Sequence, residues 1–163
     1  MRPTAEHVRA AVLDGLAADL PNARILDLFA GTGALGLEAL SRGAAKADFV
    51  EFRPASLHAL RANVASLRVR DRTRIFKRDA VQFAAALEPD SYELAFVDPP
   101  YDSRQLDLVL ASWQASGFAR ILVAEHARTH DLPRGASRRV FDDTAITVYR
   151  LPSTRRDPVY PVG

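Results

Sequence analysis

Four carboxylates and one cluster of glycines stand where this chain could do chemistry. Asp27 lies inside the apolar run Ile25 to Phe29 and precedes Gly31, Thr32, Gly33 and Gly36, while Glu51 follows Asp48-Phe49-Val50 and Asp79 follows Ile75-Phe76. Asp98 opens the tetrapeptide Asp98-Pro99-Pro100-Tyr101 directly after Leu94-Ala95-Phe96-Val97. Glycines at a strand-to-helix turn let the backbone approach a ligand closely, with unpaired N–H groups at the helix start. The spacing Gly31, Gly33, Gly36 satisfies G-x-G-x-x-G, a fingerprint of dinucleotide sites that is weak by itself. Asp27 argues against a pyrophosphate, which a nearby carboxylate repels, and for a cationic or amine-bearing ligand. S-adenosylmethionine, with a sulfonium, an amino group and no phosphate, is such a ligand; the alternative for Asp27 is a cap on the following turn.

The other carboxylates extend the same reading. Glu51, at the end of the next apolar run, is expected to accept hydrogen bonds from ribose hydroxyls, and Asp79 to reach the adenine amino group. Pro99 and Pro100 fix an extended turn and remove two backbone donors. What is left there is a carboxylate, free carbonyls and the Tyr101 ring, a set suited to holding the amino group of a stacked planar substrate. Such a set could relocalise the lone pair of an aromatic amine, with Tyr101 stacking on an extruded base.

These residues require a sheet to bring them together. Ile25 to Phe29, Ala47 to Phe52, Ile75-Phe76, Leu94 to Val97 and Ile121 to Ala124 read as buried strands, with Arg138 to Phe141 and Ala145 to Leu151 as a terminal pair turning at Asp142-Asp143. Helices are expected over Thr4 to Leu20, with Val8, Ala11, Val12 and Leu16 on its apolar face, and from Leu35 to the αL stop at Gly43. Others are expected over Pro54 to Leu67 with a stripe Leu57, Leu60, Val64 and Leu67, over Ala80 to Leu87, and around Leu106, Val109, Leu110 and Trp113. Alternation of strands with helices gives an α/β fold with a largely parallel sheet.

Composition bounds the rest. With 163 residues, 48% of them apolar, one domain over residues 1–151 is expected, followed by a loose tail, 152–163. The absence of cysteine rules out a disulfide framework and a thiolate metal site, and Glu125, His126 and His130 lack a third ligand at supportive spacing, so no metal is expected. No apolar run approaches a membrane span and nothing resembles a signal peptide, so a cytoplasmic protein with no membrane partner is expected. Basic residues are 20 Arg against 2 Lys, a bias suited to phosphates and bases that a GC-rich genome would also produce. Of the basic run Arg68 to Arg78, topology assigns Arg68, Arg70, Arg72 and Arg74 to a solvated rim and leaves Lys77 and Arg78 on the ligand side. Arg2 and Arg9 join these two as expected phosphate contacts, although His7 and Arg9 lie off the apolar face of their helix.

Taken together, Arg2-Pro3-Thr4 with Val8-Arg9, the stretch Asp27 to Ala44, Val50-Glu51 and Phe96 to Tyr101 resemble the class I S-adenosylmethionine-dependent methyltransferases. The closer resemblance is to the RsmD-type family that methylates guanine N2 in 16S ribosomal RNA. It covers Arg2 to about Leu151. The resemblance implies a Rossmann-like seven-stranded sheet with one antiparallel strand and helices on both faces. It also implies that Asp27, Gly31, Gly33, Glu51 and Asp79, with their neighbours Phe29, Thr32, Phe52 and Ala80, hold S-adenosylmethionine, and that Asp98, Pro99, Pro100 and Tyr101 hold the target base. The implied partner is 16S rRNA within small-subunit particles, met by a monomer. Two departures stand out: the basic segment that usually precedes the Arg-Pro-Thr helix is absent here, and Arg53 stands where a small polar or acidic residue is usual. DPPY also fits adenine-N6 methyltransferases; protein-glutamine methyltransferases more often carry asparagine at the Asp98 position, and a non-catalytic relative would keep the cofactor residues alone.

Overall fold

A computed structural model describes residues 6–100 and 104–152. The elements run α1 (Glu6–Gly15), β1 (Arg24–Leu28), α2 (Ala34–Ser41), β2 (Lys46–Glu51), α3 (Pro54–Ser66), β3 (Thr73–Lys77), α4 (Ala80–Ala85), β4 (Tyr92–Val97), α5 (Gln105–Ser116), β5 (Ala119–Ala127), β6 (Ser137–Phe141) and β7 (Thr144–Arg150). They build one sheet in the order β3-β2-β1-β4-β5-β7-β6. Strands β1 to β5 are parallel, and β7 is antiparallel to both β5 and β6. This is the expected Rossmann-like α/β sheet with one antiparallel strand. The chain grows from β1 toward β3 and then returns to place β4 on the other side of β1. That reversal opens a crevice at the carboxyl ends of β1 and β4.

Side-chain alternation along the strands divides the core between two faces. Ile25, Phe49, Phe96, Ile121 and Val123 meet Val8 and Leu13 of α1, Leu37 and Leu40 of α2 and Leu60 and Val64 of α3. Leu26, Leu28, Val50, Ala95 and Val97 meet Phe83 of α4 and Leu106, Val109 and Trp113 of α5. Because both faces are covered, the strands read as continuous apolar runs. Pro54 begins α3 and Gly43, at φ 105°, follows α2, as their places in the sequence require.

The structure corrects several boundaries. Helix α1 stops at Gly15, and turns Leu16 N–H to Leu13 O and Asp19 N–H to Leu16 O bring Leu20 into the core. Leu13, outside the expected stripe, is fully buried there, whereas Leu67 is exposed beyond the end of α3. Phe29 leaves β1 at φ 58°, so the strand ends one residue earlier than its apolar run suggests. Arg74 stays exposed at the rim as expected, but its guanidinium also makes paired bonds of 2.9 and 2.7 Å to the buried carboxylate of Asp48. The Tyr92 hydroxyl donates to the same carboxylate at 2.7 Å, and burial followed by this bond pushes the phenol pKa up. Asp48 is thus satisfied from β3 and β4 at once, which links β2 to both, reaching β4 across β1. The Arg2-Pro3-Thr4 cap and the tail beyond Pro152 lie outside the described residues.

One glycine is fixed by two independent constraints. Gly33 sits at φ 83°, and a Cβ there would run into the Leu60 Cδ1 atom of α3. Gly33→Ala is therefore expected to lose about 2–4 kcal/mol, the left-handed penalty plus overpacking. Chemical denaturation followed by circular dichroism measures it, and a loss below about 1 kcal/mol would mean that the turn relaxes freely.

A candidate active site at the carboxyl edge of the sheet

The turn after β1 is held by carboxylates from two directions. Phe29, Gly31 and Gly33 all have positive φ, which swings the chain back toward the sheet edge, and Gly33 N–H closes the turn on Ala30 O at 2.9 Å. Glu51, at the end of β2, accepts the Gly31 N–H at 3.0 Å. Asp27 accepts the Gly36 N–H at 3.1 Å from the first turn of α2. The Asn63 amide of α3 donates to Thr32 O at 3.0 Å. Gly31 itself leaves open space: nothing lies within 4 Å of where its Cβ would be. Backbone thus lines a cradle beside the crevice.

Burial and local partners give the two inner carboxylates opposite tendencies. Asp27 is buried and has few compensating donors; burial, reinforced by the charge of Glu51 and opposed by the Gly36 bond, pushes it from 3.8 to about 7. For Glu51 burial acts upward too. Yet the Arg53 N–H and guanidinium with the Gly31 and Phe52 N–H groups outweigh it, so Glu51 is held below the ordinary carboxylate range. Asp79 stands at the N-terminus of α4 and accepts the Gln82 N–H at 2.9 Å. The adjacent order β3-β2-β1 therefore puts Asp79, Glu51 and the Asp27 turn along one edge, as expected. Phe52 exposes its ring beside Glu51, while Ala80 is buried against the sheet.

These groups fit the class of ligand that the sequence suggests. Carboxylates at three neighbouring strand ends and an open glycine cradle suit hydroxyls, amines and a positive charge. Asp27, however, is turned inward as a brace for α2, which is the capping role read as its alternative. Glu51 likewise holds three backbone N–H groups, and its carboxylate retains lone pairs for further donors.

Across the crevice, β4 ends at Val97 and delivers Asp98 to the edge of a small, mainly apolar cleft. Arg9 and Val12 of α1, Leu35 of α2, Glu125 of β5 and Ile146 of β7 line that cleft with Asp98. Pro99 is half-buried and Pro100 exposed; Tyr101 lies outside the described residues. Sequence reading missed Glu125 as a cleft residue and gave Arg9 only a phosphate role. The signal for Glu125 was present, because it follows the apolar run Ile121 to Ala124 just as Glu51 and Asp98 follow theirs. His126 is occupied structurally by Thr147 Oγ1 and Ala127 O, and burial lowers its pKa. Lys77 closes β3 at the ligand-side edge, where Arg78 is exposed with its guanidinium over Phe83 at 5.5 Å.

The family model described as Conserved hypothetical protein 95 matches residues 1–140. A Bacillus subtilis protein named "Putative rRNA methyltransferase YlbH" is 32% identical over 137 residues, 81% of this chain and 74% of its own length. The Escherichia coli "Ribosomal RNA small subunit methyltransferase D" is 41% identical over 118 residues, 72% of this chain; the match spans 59% of that relative. Among solved structures, "Putative methyltransferase yhhF from Escherichia coli" superposes with a TM-score of 0.81 at 31% identity, covering 92% of this chain and 87% of that one.

Proposed function

We propose, from the premise that the chain belongs to the family described as Conserved hypothetical protein 95, that it transfers a methyl group from S-adenosylmethionine to the exocyclic N2 amine of a guanine in 16S rRNA. The observation that carries this reading is the placement of Asp98, followed by two prolines, at the strand end beside the glycine cradle. A guanine amine is a poor nucleophile because its lone pair is delocalised into the ring. Asp98 and the Pro99 carbonyl accept its two N–H bonds and leave the lone pair directed away from the ring plane. When bound, S-adenosylmethionine would supply the electrophilic methyl carbon, its sulfur keeping the electron pair of the S–C bond that breaks. As the amine forms its N–C bond, Asp98 is placed to take the proton that the nitrogen sheds. Tyr101 is the ring proposed to stack on the extruded base.

On the cofactor side, Glu51 accepts the ribose hydroxyls through its remaining lone pairs, Asp79 meets the adenine amino group and Phe52 offers its exposed ring. Thr32 and Ala80 stand beside these groups in the proposed set, and Asp27 lies behind the cradle. Glu51→Ala is expected to weaken S-adenosylhomocysteine binding by about 1.5–3 kcal/mol, since a charged acceptor is lost together with the Gly31 brace. Isothermal calorimetry checks this, and unchanged affinity would remove the ribose role.

Among the described residues no helix is long and apolar enough to cross a membrane. The proposed setting is the cytoplasm, with a monomer acting on RNA in small-subunit particles and Arg9, Lys77 and Arg78 contacting phosphates. The deciding assay supplies labelled S-adenosylmethionine and small-subunit particles from cells lacking this gene, then digests the RNA to nucleosides for mass spectrometry. N2-methylguanosine is the expected product. N6-methyladenosine, or label in protein, would overturn the assignment.

A further inference from the structure

We infer that the outer edge of β3 and the turn leading into it form a track for RNA backbone, running from the far side of the sheet to the crevice, an inference that rests on the proposed RNA substrate. Six of the eleven residues from Arg68 to Arg78 are basic and one, Asp71, is acidic, although the whole chain is only +2. The rest of the chain is therefore net acidic, and positive charge is concentrated on this segment. β3 is the outermost strand, paired with β2 alone, so no other strand covers it. Arg72 and Arg74 are exposed yet held in place, by Ala44 O at 3.4 Å and by Asp48. Arg68, Arg70 and Lys77 are exposed too, and among the described residues none of them has an ion pair. The five residues of β3, at about 3.3 Å each, extend this charge by roughly 16 Å to Lys77 and Arg78 at the carboxyl edge, where Asp79 stands.

The backbone at Arg68 separates this surface from an ordinary solvated rim. Helix α3 ends in a Schellman arrangement: Val69 N–H donates to Val64 O at 3.2 Å and Arg68 N–H to Ala65 O at 3.1 Å, with Val64 and Val69 both buried. That arrangement puts Arg68 at φ 58°, a place that glycine takes at no steric cost. Among the described residues the other left-handed non-glycines are Asn22, Asp90 and Asp142, types that tolerate the region, and Phe29 of the cradle turn. Arginine has no such tolerance, so a long cation is kept at position 68 against the local preference, and strain retained in this way points to function. Protection of a sheet edge does not account for it. Arg74 and Lys77, on β3 itself, block pairing with another strand, but Arg68 and Arg70 precede the strand. A planar, permanently charged guanidinium suits phosphate, and RNA offers a row of phosphates to this row of cations.

The test compares the wild type with Arg68→Gly and with the double variant Arg68→Gly/Arg70→Gln. Glycine suits the turn, so Arg68→Gly removes the charge without endangering the fold, and its melting temperature is expected to rise by about 2–4 °C. Binding to a 16S RNA transcript is followed by fluorescence anisotropy from about 50 to about 200 mM salt. Affinity should weaken about fivefold per cation removed near ~0.1 M salt, and the slope of log affinity against log salt should fall by about one per cation. With small-subunit particles KM should rise by similar factors, while kcat at saturation and S-adenosylhomocysteine affinity stay as in wild type. Unchanged RNA affinity and salt slope in Arg68→Gly would overturn the inference. So would losses seen with particles and absent with naked RNA, which would assign the edge to an acidic protein surface of the particle. Salt-dependent RNA binding that weakens in the variants, from a wild type that forms no N2-methylguanosine, would instead remove the enzymatic reading and leave the RNA track standing.

Discussion

Asp98→Ala is expected to lower methyl transfer by on the order of 10²–10³-fold, the size found when one oriented hydrogen-bonding group is removed from a reacting centre. Its carboxylate both accepts from the amine and receives the shed proton, and these interactions strengthen only as the new bond forms. Loss should therefore fall on kcat, with S-adenosylhomocysteine affinity changed less than about twofold. Asp98→Asn keeps one acceptor oxygen but no proton acceptor, so its rate should fall between the two. Single-turnover kinetics on the particle substrate separates these effects from product release. If Asp98→Ala retains more than half of the wild-type rate, the amine is held elsewhere and the mechanism fails.

What the sequence made legible was whatever a local signal specifies. The strand, glycine turn and helix from Arg24 to Gly43 need no distant partner to be read, because apolar run, positive-φ residues and helical spacing follow one another. Glu51 and Asp98 were legible for the same reason, each standing at the end of a buried run, and Asp79 because it follows shortly after the half-buried Ile75 and Phe76 of β3. What escaped depends on register and on contacts made across the sheet. The clamp of Asp48 by Arg74 and Tyr92 joins residues from β2, β3 and β4, and its guanidinium lay within a basic run that looked like a solvated edge. Glu125 shares a cleft with Asp98 only because β5 lies beside β4 with Ala124 against Val97. Arg9 reaches that cleft because α1 crosses the same face of the sheet, a packing direction that periodicity alone leaves undefined.

The second large effect concerns Asp27 and pH. In the folded protein its carboxyl titrates near 7 and in an unfolded chain near 3.8, so between these values folding takes up a proton. Its contribution to stability is fully present below about pH 4 and is lost as pH rises through 7, a span worth about 4 kcal/mol. Asp27→Asn keeps an oxygen for the Gly36 N–H but cannot titrate. The variant should therefore gain on the wild type by up to about 4 kcal/mol between pH 4 and pH 8, measured by denaturant unfolding across that range. Glu51, Asp90 and Glu93 are held below their ordinary range and contribute the opposite slope in acid, but they are common to both proteins and cancel in the difference. Keeping so costly a carboxylate makes physical sense if the ligand needs it charged. The amino group of S-adenosylhomocysteine would stabilise ionised Asp27, so its binding should tighten from pH 6 to 8 and release up to one proton, whereas Asp27→Asn should bind more weakly with no such pH dependence. Calorimetry in buffers of different ionisation enthalpy counts that proton directly. Equal, pH-independent affinity in both proteins would reduce Asp27 to a brace for α2 and leave Glu51 as the principal carboxylate of the cofactor site.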